Sequence, residues 1–201
     1  MLETKRNLFE YLVFLLDKWY REENTETPIE FTKLRLQKIL FLAAATNAVE
    51  EEHPLLDVFD RFYALPYGPV ELDIYDSMNN NQFQHITFVE KVCDCQNLQE
   101  TDFEELDETL KACMRKAVDE LKTFKLDYLR MPIAELVDIT HKWTSWQIAM
   151  AVADLLGTRR EVMSTEDICN SKIKESFGDS VLSFEYVEDY NSLNIKLIAP
   201  T

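Results

Sequence analysis

The sequence predicts a mainly α-helical domain with a small β element, an α+β fold arranged around one apolar helix near residues 33–47. Three observations lead there. Apolar residues recur at helical spacing over two long stretches, 3–23 and 101–125. Only three glycines and six prolines occur in 201 residues, too few for an all-β chain with many tight turns. Strand-like segments are confined to 58–65, 181–187 and 193–199. Apolar content of 46 % is enough for one core, so we expect a single domain over 1–201, with 178–201 as a C-terminal β-hairpin appendage.

The elements follow in order. Leu8, Phe9, Leu12, Leu15, Leu16 and Trp19 form one face of a helix over 3–23. Asn24 to Pro28 breaks it. Thr32 is the expected N-cap of the next helix, with Phe31 before it as a hydrophobic staple. That helix, 33–47, carries Leu34, Ile39, Leu40, Phe41 and Leu42 around more than one face and should be central. Arg35 and Lys38 stand near its start, where the helix dipole disfavours cations, so a carboxylate from elsewhere is the expected reward. Residues 50–54 read as a loop and 58–65 as a strand. Pro66-Tyr-Gly-Pro69 stops the strand, and Pro69 suits the first turn of a helix over 70–78 that Asn79 to Asn81 ends. Residues 85–94 are expected to form a short helix. Thr101 and Glu104 are spaced as a capping box for the helix 101–125. Pro132 opens a helix to Thr140. Thr144 and Gln147 make a second box for a helix over 145–156 that Gly157 closes, and Ser164 caps a helix to about 177. The strands 58–65, 181–187 and 193–199 are expected to share one small sheet.

Charge and residue inventory exclude several functions. The formal charge is −16, and residues 1–40 contribute nothing to it, carrying seven Lys/Arg against seven Asp/Glu. Such a surface repels phosphate backbones, so neither nucleic acid nor an anionic membrane is an expected partner. It serves solubility, or meets a basic protein partner by electrostatic steering. No run reaches the roughly 18 apolar residues of a membrane span. The first residues lack a secretory pattern, and we expect a cytoplasmic protein with Cys93, Cys95, Cys113 and Cys169 reduced. Cys93-x-Cys95 has the wrong spacing for a zinc half-site and no second pair follows, so no metal is expected. Gly68, Gly157 and Gly178 are too far apart for a phosphate-cradling loop, and no cofactor is expected. The enzymatic alternative is a hydrolase using Cys113 or His141. It requires one of them to stand in a cleft beside a second titrating group. The expected setting of His141 is a helix end, packed on tryptophan.

Three segments carry a resemblance: Leu36-Gln-Lys-Ile-Leu-Phe41, the aromatic approach Phe62-Tyr-Ala-Leu-Pro-Tyr-Gly-Pro-Val70, and Leu136-Val-Asp-Ile-Thr-His-Lys-Trp-Thr-Ser-Trp146. In order and spacing they resemble the Leu-Gln-Lys, Gly-Pro-Val and Thr-His motifs of the Panacea, or SocA-like, antitoxin family, whose members are often labelled phage-associated proteins. The likeness spans about residues 5–155. It departs at Phe41, where the family has Tyr, at Ser145, where it has Pro, and at Lys142 and Trp143, where an acid often follows the His. The resemblance implies an antitoxin without catalysis of its own. Its partner would be a protein toxin encoded nearby, neutralised by direct contact. One branch of the family acts instead as an adaptor that delivers its toxin to an energy-dependent protease. The partner-binding residues expected on this basis are Arg35, Lys38, Tyr67, His141 and Trp143, the polar or aromatic motif members that a core alone does not demand. The same residues could instead form an internal hydrogen-bonded network that fixes helix 33–47 against the Gly-Pro turn and the Thr-His helix end.

Overall fold

The computed structural model describes residues 2–23, 30–46, 48–49, 52–96, 98–123, 127–170, 173–175 and 182–184. Helix α1 (Leu2–Glu22) buries Leu8, Leu12, Leu15, Leu16 and Trp19, the stripe its sequence spells out. Helix α2 (Lys33–Ala45) is the centre. Every residue from Leu36 to Ala45 is buried, because neighbours pack around it on all sides rather than along one stripe. Thr32 caps it in extended conformation, its hydroxyl accepting from the Arg35 N–H at 3.2 Å.

A short helix, α3 (Pro54–Val58), takes the last residue of the expected loop and the first of the expected strand. Pro54 sits in its first turn, where the missing N–H costs nothing. The strand proper, β1 (Phe62–Leu65), starts four residues later than its expected beginning. Gly68–Glu71 is strand β2, not the start of a helix, and it pairs antiparallel with β1 across the two-residue turn Pro66-Tyr67. The helix α4 (Leu72–Asn80) begins only after Glu71, whose carboxylate caps it by accepting from the Ile74 N–H at 2.7 Å. Asn81, in left-handed conformation, ends it. Pro69 is tolerated within the strand because β2 is an edge, in the order β2-β1-β5, where β5 is Glu161–Val162.

The expected helix over 85–94 is a second hairpin, β3 (Thr87–Val89) and β4 (Val92–Asp94). Its inward positions are Phe88 and Cys93, directly paired, and Glu90 turns the chain at φ 55°. The hairpin docks on the approach to α2: the Lys33 N–H donates to the Lys91 carbonyl at 2.8 Å and the Cys93 N–H to that of Phe31 at 2.9 Å.

The expected long helix from 101 is divided. A 3₁₀ turn over Glu100–Phe103 is boxed by Gln99 and Asp102 in place of Thr101 and Glu104, and α5 (Glu108–Thr123) starts after Asp107, whose carboxylate accepts from the Leu110 N–H. Helices α6 (Ile133–His141) and α7 (Thr144–Leu155) follow. The Thr144/Gln147 box does not form. Thr144 is already helical, and the Gln147 amide instead reaches the His141 carbonyl at 2.9 Å. Gly157, at φ +66°, terminates α7. Ser164 caps α8 (Thr165–Asn170), which stops well short of 177.

Residues Leu182–Phe184 are extended (β7) and pair with Ile173–Glu175 (β6); residues 193–199, the other arm of the expected hairpin, lie outside the described residues. Of the expected strands, β1 and β7 lie in different sheets, β1 pairing with β2 and β5 and β7 with β6. The core is continuous from α1 through α2 to β1, α5 and α6. Among the described residues no helix is long and apolar enough to cross a membrane.

Candidate partner-binding groove

The register of the first hairpin decides what its outer edge offers. Leu65 faces Gly68 next to the turn, and the Leu72 N–H donates to the Arg61 carbonyl at 3.1 Å. Pairs alternate along an antiparallel ladder, so Pro69 and Glu71 turn their backbone polar groups away from β1. They turn them toward α2. The Gln37 side chain accepts from the Glu71 N–H at 2.9 Å and donates to the Glu71 carbonyl at 3.3 Å. One turn of register away, the Lys38 ammonium donates to the Pro69 carbonyl at 2.7 Å. Pro69 has no N–H to satisfy. Two adjacent side chains of α2 thus finish a strand edge that would otherwise be buried unpaired.

The third segment closes on the same point. Gly68 adopts φ +90°, and a Cβ there would stand 2.5 Å from the Thr140 hydroxyl oxygen and 3.1 Å from Lys38 Cε. Only glycine lets α6 approach β2 this closely. Thr140 spends its hydroxyl on the Val137 carbonyl at 2.8 Å. Next to it, His141 stacks on Trp146 with ring centroids 3.8 Å apart and planes at 12°, and the Trp146 N–H donates to the Leu65 carbonyl at 3.0 Å. Trp143 packs edge-on against Phe41. The strand β2 is therefore held between α2 and α6, with the hairpin turn projecting beyond them.

Charges around this junction are set by burial. Lys38 is completely buried with a neutral carbonyl as its acceptor, and burial pulls its pKa down from 10.5 to about 7. Burial also lowers His141, as does the Lys38 charge, against a backbone hydrogen bond at Pro66. Among the described residues, the carboxylate expected to reward Arg35 and Lys38 is within ion-pair distance of neither. Arg35 donates to the Tyr128 and Met131 carbonyls at 3.2 and 3.0 Å, and burial lowers its pKa. On the far side of Glu71, the buried Lys5 ammonium lies 2.7 Å from each of Asp60, Glu71 and Asp73. Burial works to lower its pKa, but the three carboxylates prevail and raise it. That ammonium occupies the place a cation would take among those acids, which the sequence did not single out.

Beside the junction runs a groove of about 1230 Å³. Its apolar floor includes Leu34, Leu65, Val70, Leu129 and Ile133, and Tyr67 and Tyr75 stand at it with 72 % and 41 % of their surfaces exposed. Its charged lining is Lys33, Arg35, Lys91, Arg130, Arg159 and Arg160 against Glu30 and Glu90. A strongly acidic chain thus keeps a basic hollow.

The five expected contact residues divide between surface and interior. Tyr67 and Arg35 line the groove, and His141 is half-buried behind the hairpin turn. Lys38 and Trp143, at 0 % and 2 % exposure, lie inside and hold the junction. Sequence reasoning missed Gln37 and Glu71, and the cations of the groove beyond Arg35. The hydrolase alternative asks for Cys113 or His141 in a cleft beside a second titrating group, and Cys113 has that setting whereas His141 does not. Cys113 lines a separate cleft of about 160 Å³ with His53, Lys116 and Glu120, while His141 is covered by Trp146. Cys93, Cys95 and Cys169 are buried free thiols.

The segments that meet here lie within a stretch matched by a known family. The family model described as "Antitoxin SocA-like, Panacea domain" matches residues 36–147, more than half of the chain, from the start of the Leu-Gln-Lys segment to the first turn of α7. No curated protein and no solved structure matches the chain.

Proposed function

The chain belongs to the SocA-like antitoxin family with a Panacea domain, and from that premise we propose that it neutralises a cognate protein toxin by direct contact at the groove beside the α2–β2–α6 junction. The observation that supports this reading most is the placement of the groove. Its walls include the hairpin turn of β1 and β2, inside the residues the family model matches, and the first turn of α2 immediately before them, with Gln37 of the matched Leu-Gln-Lys segment also in the lining. In this reading Arg35 and Tyr67 touch the toxin, His141 supports the turn from behind, and Lys38 and Trp143 set its position. Tyrosine and arginine are the residue types that anchor protein interfaces, and a hollow with an apolar floor lets them bury area on binding. No bond is made or broken; the role is that of a binding protein.

Co-expression tests the proposal. The chain should restore growth to cells expressing the toxic reading frame encoded beside it, and the two proteins should co-purify. Growth that stays arrested with both proteins soluble would overturn it for that pair. Toxin half-life, measured with and without the chain, separates masking from delivery to a protease: masking leaves the half-life unchanged or longer.

A further inference from the structure

We propose that the groove recognises an extended, acid-rich peptide segment with an apolar anchor, a partner opposite in charge to the one the chain's net charge favours. The proposal rests on the antitoxin reading only for whose chain carries the segment, which would then be the toxin's.

The first argument is positive charge left without a carboxylate. Lys33, Arg35, Lys91, Arg159 and Arg160 line the groove, and among the described residues none has a carboxylate within ion-pair distance. Elsewhere among the described residues Lys5, Arg21, Arg61, Lys111, Arg115 and Lys122 engage an acid while Arg6, Lys18, Lys38, Lys116 and Lys142 do not, so what marks the groove is that five such cations line one hollow. The chain carries 37 acids for 21 bases, so cations without a carboxylate gathered in one hollow are not explained by a shortage of acids. Lys33 and Arg35 also stand in the first turn of α2, where the helix dipole disfavours them. An anionic occupant would relieve both costs at once.

The second argument is shape and lining. The cations come from α2, the β3–β4 turn and the stretch after α7, so they are spread along the walls rather than converging on one point. At about 1230 Å³ the groove also exceeds the roughly 300–1,000 Å³ of most small-molecule sites. Spread charge suits a chain with carboxylates at intervals better than one compact phosphate. The apolar floor and the exposed Tyr67 and Tyr75 supply what a purely anionic ligand would leave unused. The acidic remainder of the surface then adds specificity: it repels an acidic segment everywhere except here, within a Debye length of about 8 Å.

The test uses the whole chain and labelled peptides of about twelve residues, one alternating Glu with Leu and Phe, the other with every Glu replaced by Lys. Fluorescence anisotropy at physiological salt should show the acidic peptide binding at least about tenfold more tightly than the basic one, against the bias of the net charge. The exposed triple variant Lys91→Glu/Arg159→Glu/Arg160→Glu should weaken the acidic peptide about tenfold or more and keep the wild-type melting temperature. Equal binding of both peptides, no binding, or unchanged affinity in a folded triple variant overturns the proposal. So does equal competition by a single-stranded oligonucleotide, or a self-association lost in the triple variant, which would give the groove to nucleic acid or to a second copy. The two readings fail separately. Rescue of growth by both wild type and triple variant would leave the antitoxin role standing and remove the groove's specificity. Acidic-peptide preference without rescue would do the reverse.

Discussion

The Gln37 side-chain amide pairs with both backbone polar groups of Glu71, standing in for the neighbouring strand that β2 lacks. Glu71 is wholly buried and its backbone has no water to turn to. Gln37→Leu keeps the volume and removes both partners, leaving a buried N–H and C=O unsatisfied. Each such group costs about 1–3 kcal/mol, so the variant should lose about 2–6 kcal/mol in urea unfolding followed by circular dichroism. A loss below about 1 kcal/mol would show that the strand edge finds other partners.

Gly68 and Thr140 are predicted to be coupled. Gly68→Ala places a methyl 2.5 Å from the Thr140 hydroxyl oxygen and strains a backbone at φ +90°. Thr140→Ala opens that space at the cost of one hydrogen bond to Val137. The double variant should be more stable than the two single losses added together, by about 1–2 kcal/mol, with the backbone strain remaining. Strict additivity would mean that conformation alone, and not the approach of α6, requires glycine here.

Lys38 gives the stability a pH dependence of known sign. Its folded pKa, about 7, lies below the free value of 10.5. Between these two values the unfolded chain binds more protons, so stability rises with pH, and the burial penalty is complete below about 7. Lys38→Met removes the titration and leaves the Pro69 carbonyl unpaired at every pH, a constant offset. The difference, wild type minus variant, should therefore grow by on the order of 3 kcal/mol from pH 7 to about 10. The window avoids His141, whose pKa is held below the usual 6.5. A flat difference would place water or an anion beside the ammonium.

What could be read from the sequence follows from range. Thr32 as a cap, Asn81 as a helix end and the buried face of α1 depend on residues within a turn or two, and all are present. Pro69 was legible as a stop but not as a strand residue, because a missing N–H suits both a first helical turn and an outward edge position. Phe88 and Cys93 face each other only once Glu90 has turned the chain, and a segment of eight residues shows too little alternation to say so. Asp107 divides the expected long helix because its cap competes with the apolar stripe that runs on through it. At the site, the unrewarded position of Arg35 was visible. Its partners were not, since backbone carbonyls carry no sequence signature and depend on how Tyr128 and Met131 are turned. The groove was invisible for the same reason of range: Lys33, Lys91 and Arg159 belong to segments far apart in the chain.

Tyr67 and Trp143 separate contact from support. Tyr67 sits at the hairpin turn with 72 % of its surface exposed, so Tyr67→Ala removes little packing and should change stability by less than about 0.5 kcal/mol. Trp143 is 2 % exposed and packs on Phe41, so Trp143→Ala should cost about 3–5 kcal/mol. If the hairpin turn is the surface a toxin meets, Tyr67→Ala weakens binding in a chain that melts as the wild type does. Trp143→Ala should weaken it only in proportion to the unfolded fraction, and lowering the temperature should recover it. Calorimetric titration of the partner against both variants at two temperatures distinguishes the cases. Full affinity in Tyr67→Ala would move the contact surface away from the turn, and temperature-independent loss in Trp143→Ala would show that the buried indole shapes the bound state itself.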